Sequence, residues 1–303
     1  MALASAIAAL DGRQRKTLQP KKDLFLPDRY CVVGNPVEHS RSPWIHARFA
    51  ALTGQALEYG KLLVAPGDFA RAVRALRDGG ARGCNVTVPF KFEAAALADR
   101  ATPRALLAGA CNTLRFDGAE IASDNTDGVG LVQDIRVNAA VTIEGAAVLL
   151  IGAGGAAAGV LGPLLAACPR RLVVANRTLA RAQELVARHA AAADAGRVEL
   201  TAAALDRPGK AFDIVINGSA SSLTQGGVPV PAAVLRPGAL ACDMMYGPSA
   251  LPFLDWARAH DAVPRDGLGM LVEQAAEAFL FWRGMRPPSA QVLAELRALQ
   301  SLP

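Results

Sequence analysis

An ammonium at Lys91 and a carboxylate at Asp127 are the two groups in this chain best suited to moving a proton. Reduction of a ketone by hydride transfer needs a proton at the oxygen that becomes negative, and a lysine with a carboxylate beside it can supply one. Lys91 follows Asn85-Val86-Thr87-Val88-Pro89-Phe90, where a strand becomes a helix, the usual place for a site in an α/β sheet. A helix start disfavours a cation, so a lysine there carries a small cost that a binding role would explain. Asp127, in Asp124-Asn125-Thr126-Asp127-Gly128, either pairs with Lys91 or is a helix N-cap or first-turn carboxylate. His39, His46, His189 and His260 show no metal-ligand spacing, and no metal is expected.

The hydride donor has its own signature. Val148 to Ile151 reads as a buried parallel strand, followed by Gly152-Ala153-Gly154-Gly155-Ala156-Ala157 and an Ala/Leu-rich helix. In this turn Gly152 permits the tight bend, Gly154 lets a pyrophosphate approach the backbone, and Ala157 lets helix and strand pack closely. The N–H groups of the helix start then face phosphate oxygens. Glycines also end strands for packing reasons alone; strand before and helix after favour the nucleotide. At the end of the next strand, an Asp or Glu would accept from a ribose 2′-hydroxyl and select NAD. The chain has Asn176-Arg177-Thr178 and then Arg181 instead, and two guanidinium forks suit the 2′-phosphate of NADP.

The elements that must position these groups follow from the hydrophobic pattern. Residues 1–28 read as a poorly ordered extension, Ala-rich first and basic afterwards, the reverse of a secretory signal. Strands are expected at 30–33, 57–64 and 84–88. A hairpin turning at Asp117-Gly118 joins 112–116 to 119–123. Helices are expected from Ser42-Pro43, with Ser42 as N-cap, to about 52, over 66–77, from Lys91, and from the Asp124–Gly128 stretch to about 137. Strands at 147–151, 172–176, 197–201, 212–217 and 239–243 with helices between them predict a parallel, doubly wound sheet. An amphipathic helix over 268–282, after the hinge-like Gly267-Leu268-Gly269, is expected to return to the first unit. The organisation is therefore α/β: residues 29–126 plus 267–303 form a substrate-binding domain with a mixed sheet, and residues 127–266 a Rossmann-like NADP-binding domain.

Composition narrows the function classes. No apolar run approaches the roughly 20 residues of a membrane span. The net charge of +5 comes largely from the first 29 residues, which contribute +3, and the body shows no aromatic-lined basic groove for nucleic acid. Five scattered cysteines without a C-x-x-C pair read as buried reduced thiols of a cytoplasmic protein.

Taken together, the motifs resemble the shikimate dehydrogenase family over essentially all of residues 30–285. The resemblance rests on seven motifs in order. They are Asn35-Pro-x-x-His-Ser-x-Ser-Pro43, Asn85-Val-Thr-Val-Pro-Phe-Lys91, Ala108-Gly-Ala-x-Asn-Thr113, Asp124-Asn-Thr-Asp-Gly128, Gly152-Ala-Gly-Gly-Ala156, Asn176-Arg-Thr-x-x-Arg181 and Gly267-Leu-Gly-Met-Leu-Val-x-Gln274. The resemblance implies NADP-dependent reduction of 3-dehydroshikimate to shikimate, in aromatic amino-acid biosynthesis, within a cleft between two domains. By matching position it implies that Ser40 and Ser42 hold the substrate carboxylate, and that Thr87, Asn112, Asp127 and Gln274 bond its hydroxyls. Lys91 becomes the acid/base, Tyr246 faces the substrate, and Met244 and Gly267 line the nicotinamide end. Two departures touch the cofactor side and the cleft: Asn217-Gly218-Ser219-Ala220 where the family often has Asn-Ala-Thr-Ser, and Leu251-Pro252-Phe253 where it has Thr-Pro-Phe. The rival readings are a quinate/shikimate dehydrogenase and, outside enzymes, an NADP-binding sensor; a sensor is expected to lack Lys91 or Asp127, and both are present. A monomer or homodimer is expected, with a small-molecule substrate as its partner.

Overall fold

The computed structural model describes residues 26–219 and 228–300. Expectations for residues 1–25 and for Ala220 lie outside the described residues. Two six-stranded sheets organise the rest.

The first sheet comprises β1 (Asp28–Gly34), β2 (Leu57–Leu63), β3 (Gly83–Val86), β4 (Arg100–Ala101), β5 (Thr113–Asp117) and β6 (Glu120–Asp124), in the order β2-β1-β3-β5-β6-β4. It is mixed: β5 runs antiparallel to both β3 and β6, and the other pairs are parallel. Helices α1 (Ser42–Thr53), α2 (Phe69–Asp78), α3 (Lys91–Leu97) and α4 (Pro103–Ala108) belong to this half. Its core gathers Val33, Phe69, Val73, Cys84, Phe90 and Leu114, all fully enclosed.

After α5 (Asp127–Gln133), the second sheet comprises β7 (Ala147–Ile151), β8 (Arg171–Asn176), β9 (Glu199–Ala204), β10 (Phe212–Asn217), β11 (Leu235–Asp243) and β12 (Val263–Arg265). Every pair is parallel, in the order β12-β11-β10-β7-β8-β9. Read from β7 this is the doubly wound order, with its switch point between β7 and β10, where such sheets bind ligands. All five residues of β7 are completely buried, because α6 (Gly155–Ala166) and α7 (Leu179–Gly196) cover one face and α8 (Leu251–Ala259) the other. The four larger side chains, Val148 to Ile151, each contribute about 1.5–3 kcal/mol of burial.

Several boundaries differ from expectation for identifiable reasons. Arg41, not Ser42, is the N-cap of α1; Ser42 is its first residue, and its N–H donates to Ser40 Oγ (3.3 Å). Strand β3 stops at Val86, since Asn35 N–H takes the Val88 carbonyl (2.9 Å) and draws 87–90 toward the loop after β1. The hairpin turns on Gly118-Ala119, with Asp117 paired to Glu120 and Gly118 at φ +67°. The helix after Thr126 changes character at Gln133, where a wider π-helical turn (Asp134–Asn138) lets the Asp134 carboxylate meet both Arg265 and the Asn138 amide. No helix joins β9 to β10; a short turn containing Pro208 and Gly209 suffices. Helix α9 (Leu268–Arg283) is not amphipathic but buried over most of its surface, wedged between α1, α5 and α10 (Ser289–Gln300). Asp28 begins β1 and is held by Arg82 and Arg283. Cys168 is exposed, while the other four thiols are buried.

Candidate active site

Lys91 opens α3 after β3 and Asp127 opens α5 after β6; these two strands run in the same direction, so both residues lie beyond the same edge of the mixed sheet, with Lys91 Nζ 2.5 Å from Asp127 Oδ2. The side chains are only 12% and 7% exposed, so the pair sits largely out of water, where its attraction is strongest. The carboxylate offsets the cost of a cation at a helix start.

A buried amide network fixes the carboxylate. Asn112 Nδ2 donates to Asp127 Oδ1 (2.8 Å) and lies 2.9 Å from Thr126 Oγ1 and 3.2 Å from Gln274 Oε1. The Asn112 carbonyl oxygen of the side chain accepts from Thr126 N–H (2.8 Å), and Gln274 Nε2 donates to the Leu271 carbonyl (2.8 Å). Lys91, Asp127 and Gln274, from three helices, and Asn112, from the loop before β5, therefore converge. Gln274 is 8% exposed and faces inward from α9, not outward.

The network continues away from the pair. Asn85 Nδ2 donates to the Asn112 backbone carbonyl and to Thr113 Oγ1, and Asn85 Oδ1 accepts from the Tyr59 phenol (2.7 Å). Tyr59 also meets the Ser42 side chain, and its phenol is pushed well up by burial. Ser40 Oγ and Ser42 Oγ lie 3.2 Å apart. Tyr246, its phenol raised by burial, hydrogen-bonds the Arg41 backbone between those serines. Thr87, half-buried, places its methyl over Gly34 on the same loop system. Tyr59, Asn85, Asn125 and Thr126 were missed as functional candidates. The last three stood inside recognised motifs, whereas Tyr59 on β2 gave no signal.

The glycine turn adjoins this cluster. A methyl at Gly155 would lie 3.2 Å from Lys91 Cβ, so the start of α6 faces the start of α3. Gly152 takes φ +110°, and a methyl there would meet Gly218 and Ser219 at 3.0–3.1 Å, at the switch point of the sheet. Gly154 is exposed and extended just before the first turn, with Ala153, Gly155 and Ala156 half-buried behind it. On the next strand Asn176 Nδ2 donates to the Thr178 carbonyl (2.9 Å), shaping the loop into α7. Arg177 and Arg181 are exposed there, with no acidic partner among the described residues. An open backbone turn and two unneutralised guanidiniums at the neighbouring strand end fit a dinucleotide carrying a 2′-phosphate. Met244 Sδ would sit 3.0 Å from a methyl at Gly218, and Gly267 abuts the Met244 carbonyl, so these two residues and the Asn217–Ser219 turn are neighbours.

A mixed α/β unit carrying a buried lysine–carboxylate pair, set against a doubly wound sheet with an open phosphate turn, defines a dinucleotide-dependent oxidoreductase. Comparison with known proteins specifies which. Family profiles match as the shikimate dehydrogenase substrate binding domain over residues 32–114, shikimate / quinate 5-dehydrogenase over 135–225, and the shikimate 5′-dehydrogenase C-terminal domain over 267–297. A shikimate dehydrogenase (NADP(+)) of Acidovorax sp. strain JS42 is 65% identical over 89% of this chain and 96% of its own length. One from Methylibium petroleiphilum is 62% identical over 93% and 98%. Among solved structures, an Ael1 enzyme from Pseudomonas putida has TM-score 0.80 at 44% identity, covering 89% of this chain and 98% of that one. A Thermus thermophilus shikimate 5-dehydrogenase in complex with NADP(H) and shikimate has TM-score 0.78 at 28% identity, covering 89% and 99%. The chain belongs to the shikimate dehydrogenase family. No helix among the described residues is long and apolar enough to cross a membrane.

Proposed function

We propose that the chain catalyses the reversible NADPH-dependent reduction of 3-dehydroshikimate to shikimate. The observation that carries the chemistry is the enclosed Lys91–Asp127 pair beside the start of α6. Lys91 holds the proton at Nζ and delivers it to the oxygen that becomes a hydroxyl; Asp127 keeps that side chain oriented, and Asn112 keeps Asp127 oriented. NADPH, when bound along the 152–156 turn, supplies the hydride. Ser40 and Ser42 receive the substrate carboxylate, with Tyr246 beside them, and Thr87, Asn112 and Gln274 receive hydroxyls. This suits a small, polyhydroxylated acid: a site built of short polar side chains rejects analogues that leave them unpaired. Gly152, Ala153, Gly154, Gly155 and Ala156 take the pyrophosphate, Asn176, Arg177, Thr178 and Arg181 the 2′-phosphate, and Met244 and Gly267 the nicotinamide end.

In this reading residues 29–126 and 267–303 form the substrate domain and 127–266 the NADP domain. The protein works in the cytoplasm as a monomer or homodimer, without nucleic acid, in keeping with five unpaired cysteines. A family profile described as shikimate / quinate keeps quinate as a second substrate in view. An initial-rate panel of shikimate and quinate, each with NADP and NAD, decides. Shikimate with NADP is expected to give the highest kcat/KM, and no turnover with that pair would refute the proposal.

A further inference from the structure

Asn125 is completely buried, and the proposed chemistry gives it no task. Its side chain makes two backbone contacts: Nδ2 donates to the Ala110 carbonyl (2.8 Å), and Oδ1 accepts from Asp127 N–H (3.2 Å). Ala110 begins the loop that carries Asn112, and Cys111 N–H in that loop donates to the Lys91 carbonyl (2.9 Å). One amide thus ties the backbone of Asp127 to the loop that holds both Asn112 and the first residue of α3. The opposite face of the amide lies on α6: a methyl at Gly159 would fall 2.6 Å from both Nδ2 and Oδ1. Gly128 meets the same helix, 2.5 Å from the Gly159 carbonyl by the same measure. Two glycines and one asparagine therefore seat the Asp127 segment against the helix whose first turn faces the cofactor.

We propose that Asn125 is a positioning residue that sets the Lys91–Asp127 pair in register with the cofactor helix, and that Gly159 is the gap that admits it. The proposal rests on the reading of Lys91 and Asp127 as the proton couple. Misplacing reacting groups by a fraction of an ångström costs rate more than affinity, because ground-state binding tolerates what the transition state does not. Asn125→Ala is expected to lower kcat for shikimate oxidation by about 10- to 100-fold, with KM for shikimate and Kd for NADP each within about 3-fold. Gly159→Ala should act in the same direction by pressing on the amide. The double variant should be no worse than Asn125→Ala, because the vacated space takes the methyl.

The full-length chain is assayed for all variants, with melting curves taken in parallel. A lowered melting temperature with unchanged kcat in Asn125→Ala would overturn the proposal, as would strictly additive defects in the double variant. Should Asn125→Ala fail to fold, Asn125→Ser, which keeps an acceptor for Asp127 N–H, and Gly159→Ala carry the same test. Lys91→Met assayed alongside separates the two readings. Its loss of activity with a normal Asn125→Ala sinks only the positioning role, whereas retained activity sinks the proton couple itself.

Discussion

Removal of the two guanidiniums at the end of β8 should convert cofactor preference without touching turnover. Arg177 and Arg181 stand at the entrance to α7, exposed and without an acidic partner among the described residues, so neither has an ion pair to break before binding a phosphate. A hydrogen bond to a charged group is worth about 1.5–3 kcal/mol, with the lower end appropriate to an exposed site. Two arginines then give about 3 kcal/mol toward the 2′-phosphate, or roughly 10²-fold in Kd. NADH lacks that phosphate and serves as an internal control. In fluorescence titrations of the Arg177→Ala/Arg181→Ala variant, NADPH affinity should fall about 10²-fold while NADH affinity holds, and the NADPH loss should shrink in salt as charges are screened. Arg177→Asp should go further and favour NADH, since a carboxylate repels the phosphate and accepts from the ribose. Equal losses for the two nucleotides, or no loss for NADPH, would refute the assignment.

Two further perturbations test the frame around the site. Asp124 is 1% exposed and is held by a bidentate Arg104, by Thr102 Oγ1 (2.6 Å) and by its neighbour's N–H. Arg104→Ala strands that carboxylate and should cost about 3–5 kcal/mol in urea unfolding, whereas a cost under about 1 kcal/mol would contradict the buried pairing. His46, stacked at 4.3 Å on Tyr59, has its pKa pushed down to about 3 by burial. Its folded pKa lies below the unfolded value of 6.5, so stability is complete above pH 6.5 and falls as the pH drops toward 3, by about 1.4 kcal/mol per unit. His46→Phe should flatten that acid limb, and an unchanged pH dependence would exclude His46 as its source.

What the sequence revealed and what it hid divide along physical lines. The doubly wound half was legible because β7 is apolar at every position and is followed by Gly152, whose φ of +110° only glycine adopts without strain. The Lys91–Asp127 pairing could be posed but not decided: the two residues are 36 apart, and only the fold brings them together. Gln274 could be read as an exposed helix residue because helix periodicity says nothing of neighbours; α1, α5 and α10 bury α9 on nearly all sides. Tyr59 carries no signal of its own in the sequence, and its phenol gains a role only through Asn85 on another strand. Elements of two or three residues, β4 and β12, carry no periodic signal and exist through pairing with β6 and β11.

The most direct measurement is steady-state turnover of Lys91→Met with shikimate and NADP. The substitution keeps the length of the chain in the cleft and removes the ammonium that contacts Asp127. A fall in kcat of about 10²- to 10⁴-fold, with KM for shikimate and Kd for NADP little changed, is the expected result. Near-normal kcat in the folded variant would show that the proton reaches the substrate by another route.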